Sequence, residues 1–260
     1  MKKNLILSAM LAIAFIACAR PAIYVDTLAR KQRVVLDVSR FQGKIDYGQV
    51  TGSPLKWIYI KATEGMNTDP MFQTNVQGAK AANMHVGAYC FFSVLSGARA
   101  QATHFLNTVK SVGVEYDLIP MVDVENLKSY TPEQLVDSLK LFVDILEAEY
   151  HTKPLIYSGE HFFLKYLKAF AGYPLWIAKY ADKAPNLDGV DYILWQVSEK
   201  GIVNGIEGYV DVSLFVGKHR PRDIKLPSSK PEGKDKKDSK SKNSKKKGKK
   251  GRSPKEKTDE

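Results

Sequence analysis

The run Leu118-Ile-Pro-Met-Val-Asp-Val-Glu125 ends on two carboxylates, Asp123 and Glu125. Its apolar residues read as a buried strand. In a strand, residues i and i+2 point to the same face, so the two acids lean into one space with their Cβ atoms roughly 6–7 Å apart. Like charges at that range raise one pKa, so one acid keeps its proton near neutrality while the other is ionised. Hydrolysis of a glycosidic bond needs that division of labour. A lone Asp-x-Glu is weak, because many strands end on acids that simply meet water. The other strand ends give it weight.

Between Arg33 and Val216 apolar strand-like runs alternate with helical periodicity. The strand-like runs cover 34–38, 57–62, 86–92, 119–124, 155–157, 175–178, 192–197 and 210–215. Helices are expected over 71–82, where Asp69-Pro70 supplies a start signal, over 97–109, from Thr131 to about Tyr150, and over 160–170. The third is the clearest. Thr131-Pro132-Glu133 opens it, and Leu135, Leu139, Phe142, Val143, Ile145 and Leu146 form its apolar stripe. Strands alternating with helices imply a parallel sheet. The last three strands are too closely spaced for full helices between them. The expected fold is therefore α/β: an irregular β/α barrel of about five β/α units followed by three β-strands. An open doubly wound sheet fits less well, since no Gly-rich phosphate loop follows the first strand.

In such barrels the site lies at the C-terminal ends of the strands. Those ends carry Asp37, Lys61 and Glu64, Tyr89, Asp123 and Glu125, Tyr157 and Ser158, Trp176 and Tyr180, Gln196, and Asp211. Carboxylates and aromatics on one rim suit a sugar: flat faces for the ring, acceptors for its hydroxyls. Trp195 has the opposite parity to Gln196 and reads as packing. His85, His104, His151 and His161 show no metal-ligand spacing, so no metal and no cofactor is expected.

The ends of the chain differ in kind. Lys2 and Lys3 precede an apolar run from Leu5 to Ala17, short for a membrane span and suited to a secretory signal. Phe15-Ile-Ala-Cys18 resembles a lipoprotein box, and Ala17-Cys18-Ala19 also fits ordinary cleavage. Cys90 is the one other cysteine, which leaves no disulfide in a mature domain. Residues 221–260 hold 16 Lys/Arg and 7 Asp/Glu, a net +9 of the chain's +11, while residues 20–220 hold 21 of each. This Lys-rich tail is expected to be disordered. No aromatics interleave its lysines, which argues against specific nucleic-acid binding. Loose contact with anionic envelope polymers or lipid headgroups is the partner chemistry it suits, with plain solvation as the alternative.

Seven segments together resemble glycoside hydrolase family 25. They are Asp37-Val-Ser-Arg-Phe-Gln-Gly-Lys-Ile-Asp46, Tyr59-Ile-Lys-Ala-Thr-Glu-Gly65, Gly87-Ala-Tyr89, Val122-Asp-Val-Glu125, Leu175-Trp-Ile-Ala-Lys-Tyr180, Leu194-Trp-Gln196 and Gly208-Tyr-Val-Asp211. They run in order over about residues 34–217. The resemblance implies a lysozyme that cuts peptidoglycan glycan strands between N-acetylmuramic acid and N-acetylglucosamine. It makes Glu125 the general acid. It makes Asp123 either the nucleophile or the group that holds an attacking N-acetyl, with Asp37 and Asp211 as flanking acids. Lys61, Tyr89, Tyr157, Trp176, Tyr180 and Gln196 become candidate substrate contacts. Two positions depart from the family pattern: Cys90 stands where His is usual, and Ser213 where Asn is favoured. The expected layout is a signal peptide over 1–19, a linker over 20–32, the hydrolase domain over 33–220 and the tail over 221–260. The expected location is the cell envelope or beyond it, by secretion or by a lipid on Cys18. Two rival readings are an N-acetylhexosaminidase of different linkage preference and a non-catalytic peptidoglycan-binding lipoprotein.

Overall fold

The computed structural model describes residues 20–227. The signal and lipid-site expectations at 1–19, and the tail from 228 on, lie outside the described residues. In chain order the elements are β1 (Ile23–Tyr24), α1 (Val25–Ala29), β2 (Val34–Val38), α2 (Tyr47–Thr51), β3 (Trp57–Glu64), β4 (Asn67–Thr68), α3 (Phe72–Ala81), β5 (His85–Phe91), α4 (Ala98–Ser111), β6 (Met121–Asp123), α5 (Pro132–Tyr150), β7 (Leu155–Gly159), α6 (Glu160–Phe162), β8 (Leu175–Ala178), β9 (Leu194–Ile202) and β10 (Val210–Phe215).

Eight of the strands close into a barrel. The order runs β9-β10-β2-β3-β5-β6-β7-β8, and β8 pairs back to β9. Neighbours are parallel except at β10, which is antiparallel to both β2 and β9. Five strand–helix units are followed by three strands, as the sequence pattern predicts. The helices form where their signals stand. At α5, Gln134 N–H donates to Thr131 Oγ1 at 3.2 Å and Thr131 N–H to Gln134 Oε1 at 2.8 Å, a reciprocal cap. Its stripe is buried except at Ile145, which is half-buried. The segment after β7 is less regular than the periodicity suggests. One α-turn passes into a π segment over Phe163–Leu167 and a 3-10 turn over Lys168–Phe170.

Strand parity splits the core in two. Inward residues fill the barrel, among them Val35, Tyr59, Met121, Leu155, Trp176 and Leu194. Outward residues pack under the helices, including Leu36, Ile58, Cys90, Val122 and Ile156. Gly87 is needed for the interior: a Cβ there would stand 2.5 Å from the Tyr59 ring. Tyr59 in turn donates its hydroxyl to Ile119 O at 3.1 Å.

Both flanks of the barrel correct the expected boundaries. Residues 20–32 are no bare linker. β1 adds in parallel to Gly201–Ile202, and Val25 is wholly buried. This contact lies toward the C-terminal end of β9. At the other pole, residues 221–227 belong to the fold. Ile224 is wholly buried in the interior cluster, Ile119 N–H donates to Ile224 O, and Leu226 N–H to Asp117 O. Net charge hid these residues among the lysines, although Ile224 and Leu226 are the last apolar residues of the chain.

Candidate active site

The strand ends converge as their parity requires. A cleft of about 620 Å³ opens over the barrel and is lined by Asp37, Asp123, Glu125 and Asp211. Asp37 is the last residue but one of β2 and Asp211 the second of β10, and the two are direct register partners. Asp123 is the last residue of β6. Val124 N–H donates to Tyr157 O at 3.0 Å, which carries the chain on to Glu125 at the exposed rim.

The floor is buried and the rim exposed, and the carboxyls respond accordingly. Burial pushes Asp123 well above the ordinary carboxylate range. Glu125, Asp37 and Asp211 push the same way, and Lys61 opposes them. Asp37 is also raised well above its usual value, by burial first and then by Asp211. Asp211 is raised to about 6 by burial, less far because a hydrogen bond from Asp37 favours its anion. Glu125, though exposed to the cleft, is raised by partial desolvation against the walls, again with Lys61 opposing. All four carboxyls of the cleft are therefore raised from their ordinary values.

Lys61 is buried, with Nζ 3.4 Å from Glu64 Oε2 and 5.0 Å from the centre of the Phe41 ring. Gln196 joins three partners: it donates from Nε2 to Asp37 Oδ2 at 3.1 Å, and its Oε1 accepts from Tyr157 at 2.8 Å and Tyr180 at 2.7 Å. Asp123 Oδ1 has no hydrogen-bond donor among the described residues. A buried acceptor without a partner is costly in a resting protein, and it is useful where a substrate brings the donor.

Residues 36–206 match the family described as Glycosyl hydrolases family 25. The chain belongs to this family. It is a glycoside hydrolase of the lysozyme kind, and its relatives agree in sequence and fold. The uncharacterized protein YegX of Escherichia coli K12 is 37% identical over 190 residues, covering 70% of this chain and 69% of YegX. The autolytic lysozyme of Clostridium acetobutylicum is 32% identical over 182 residues, which is 69% of this chain and 55% of that protein. Among solved structures, a family 25 glycosyl hydrolase from Bacillus anthracis aligns with a TM-score of 0.63 at 30% identity, over 72% of this chain and 90% of its own. A bacterial lysozyme from Streptomyces coelicolor aligns with a TM-score of 0.64 at 27% identity, over 72% and 93%.

Within this family 25 barrel, nine of the ten residues singled out by sequence line the cleft: Asp37, Lys61, Tyr89, Asp123, Glu125, Tyr157, Tyr180, Gln196 and Asp211. Trp176 does not. It is fully buried below the floor, edge-on to Tyr59 and Tyr157, with its indole N–H on Ser213 Oγ at 2.9 Å. Its parity is right, but a barrel interior has layers, and Trp176 fills a lower one. The two departures from the family pattern also lie off the cleft. Cys90 faces the helix layer, because Tyr89 faces inward, and burial pushes its thiol up to about 12. Ser213 is the buried acceptor for Trp176. Neither touches a carboxylate of the cleft.

Sequence reasoning passed over two rim aromatics, Phe41 and Tyr209, which are 74% and 54% exposed while lining the cleft. The Arg40 guanidinium lies 4.6 Å from the Phe41 ring centre, and Gln42 Nε2 donates to Tyr209 O at 3.3 Å, tying the two loops together. Both sit within the quoted motifs, but Phe41 in a single 3-10 turn and Tyr209 in a loop, where no periodicity assigns a face.

Proposed function

We propose that this enzyme cleaves the β-1,4 bond between N-acetylmuramic acid and N-acetylglucosamine in peptidoglycan, with Glu125 as general acid and Asp123 as its partner. The observation that carries the reading is Asp123 Oδ1, buried in a family 25 cleft beside Glu125 and without a donor among the described residues. That oxygen is free to attack the anomeric carbon, or to accept the N–H of a substrate N-acetyl group that attacks in its place. Either role needs an ionised Asp123, against which burial and the neighbouring acids work and for which Lys61 supplies the one opposing charge named at the site. Glu125, exposed at the rim with its pKa raised, can meet the glycosidic oxygen carrying a proton. Asp37 and Asp211 flank the pair. Lys61, Tyr89, Tyr157 and Tyr180 are the proposed contacts of the glycan, joined by Phe41 and Tyr209.

The proposed setting is the cell envelope or the space outside it, reached by secretion or by lipid attachment at Cys18. The lysines beyond Pro227 are proposed to hold the enzyme loosely on anionic polymers or headgroups, a long-range attraction that salt screens. Mass spectrometry of the products from purified peptidoglycan tests the reading. Reducing-end muramic acid is expected. Reducing-end glucosamine would instead make the enzyme an N-acetylhexosaminidase of another linkage, and intact strands would leave a binding protein.

A further inference from the structure

The end of the barrel away from the cleft is basic. Arg33 and Lys56 immediately precede β2 and β3, which run side by side in parallel with Val35 opposite Trp57. β10 runs against β2, so the chain after Phe215 returns to this same end and carries Lys218, Arg220, Arg222 and Lys225 across it. There Lys225 bridges to Leu118 ahead of β6, and Ile224 closes the interior. All six cations are exposed. Among the described residues no carboxylate lies within ion-pair distance of Arg33, Lys56, Lys218, Arg220 or Lys225, and Arg222 meets only Asp223, at 3.7 Å. The acids of this end are drawn to other partners: Asp117 to Lys80 at 2.8 Å, and Asp191 and Asp223 to the ring nitrogens of His219 at 3.0 and 3.1 Å.

Apolar surface lies among these cations. Trp57, Phe215 and Leu226 are half-buried against the interior cluster. Trp57 stacks on His85 and stands edge-on to Phe215, each with ring centres 6.2 Å apart. A half-buried indole ringed by Lys and Arg suits the headgroup layer of a bilayer, where a Trp sits between apolar and wet surroundings. A hydrated polyanion would call for the charge alone. The chain also leaves the barrel from this end at Pro227, and residues 228–260 add a net +8. We propose that this end of the barrel is a docking face for anionic lipid headgroups, continuous with the lysines that follow it, which turns the cleft away from the bilayer and toward the polymer. The placement belongs to the secreted form, since a lipid on Cys18 would draw the opposite end of the barrel to the membrane. It rests on the proposed envelope setting for its use, but not for its detection.

The test is co-sedimentation of residues 20–227 with vesicles at low salt. This piece holds the closed barrel and its plug without the tail. Residues 20–220 balance at 21 charges of each sign, and Arg222, Lys225 and Asp223 bring the piece to +1, so net charge gives it little reason to bind an anionic surface. It should nevertheless bind phosphatidylglycerol vesicles and leave phosphatidylcholine vesicles bare. Each Lys or Arg near an anionic bilayer strengthens binding by about fivefold, the equivalent of about 1 kcal/mol. Lys56→Gln/Lys218→Gln/Arg222→Gln should therefore weaken binding on the order of 10²-fold. The control Lys44→Gln/Arg99→Gln/Lys183→Gln removes as much charge from exposed positions beyond the C-terminal ends of the strands and should weaken it far less. Equal losses in the two variants overturn the proposal, as does a failure of the parent to bind. Soluble polyphosphate binding as tightly as the vesicles would make the partner a polymer and overturns it too. Should the first variant melt early, the salt dependence of the parent decides: binding that survives about 0.5 M salt would not be carried by these charges. None of these measurements needs turnover, so failure of the muramidase reading and failure of the docking face are separately visible.

Discussion

Asp37 and Asp211 sit directly opposite each other on adjacent antiparallel strands, at β10, the strand of the barrel that runs against its neighbours. Like charges in that register repel. The pair is tolerated because burial raises both carboxyls above their ordinary values, which favours a neutral partner. A carboxyl whose pKa is higher in the folded chain than in the unfolded one favours folding below the unfolded value. That advantage is lost as pH rises through the folded value. For Asp211 the window runs from about 4, the unfolded carboxyl, to about 6. Asp211→Asn should therefore stabilise the fold above pH 6, by on the order of 1–2 kcal/mol, and do little below pH 4. Urea unfolding across that range checks the sign.

Losing general acid catalysis alone typically costs about 10²–10⁴ in rate. Glu125→Gln should lose at least that order of turnover on peptidoglycan and still bind it, because Gln keeps the shape. Asp123→Asn should fall as steeply. A trapped glycosyl ester on Asp123 would show direct attack, whereas inhibition by a thiazoline mimic without an ester would show an N-acetyl nucleophile. Near-normal turnover by Glu125→Gln would sink the assignment.

Trp176 and Phe41 should separate stability from binding. Trp176→Phe strands the Ser213 hydroxyl and leaves a void under the floor, at a cost of about 1–3 kcal/mol, with KM little changed. Phe41→Ala removes an exposed rim ring, so stability should stay within about 0.5 kcal/mol while KM rises. Thermal melts beside steady-state kinetics distinguish the two.

Two truncations should behave differently. A chain ending at Arg220 loses Ile224, whose full burial is worth about 2–3 kcal/mol, and opens the bottom of the barrel. It should melt early. A chain ending at Pro227 keeps that plug and sheds 14 Lys/Arg and 6 Asp/Glu, a net +8. It should cut short soluble glycans at the wild-type rate. On intact anionic envelopes it should bind less well at low salt, with the gap closing as salt is added.

The barrel and its rim were legible because both rest on short-range rules. Alternation of strands and helices gave the five units and three final strands, and period-2 parity sent Asp37, Lys61, Tyr89 and Asp123 inward. Parity reports direction and not depth, which is why Trp176 read as a contact and proved to be a floor beam. The antiparallel turn of β10 was not legible, since hydrophobic pattern does not encode strand direction. Phe41 and Tyr209 were missed on loops, and Ile23–Tyr24 and Ile224 were missed in segments whose composition looked like spacer.

The β1 contact and the Ile224 plug lie at opposite poles. The chain joins the barrel beside the late residues of β9, where Glu199 and Lys200 line the cleft, and leaves it beneath the first residues of β6. The enzyme thus has a handedness for anyone who would mount it. Grafting to a bead or a fusion partner through the residue 20 side sets the attachment beside the mouth, where a long polymer must enter. Grafting through the residue 227 side puts the support behind the molecule and leaves the mouth facing outward.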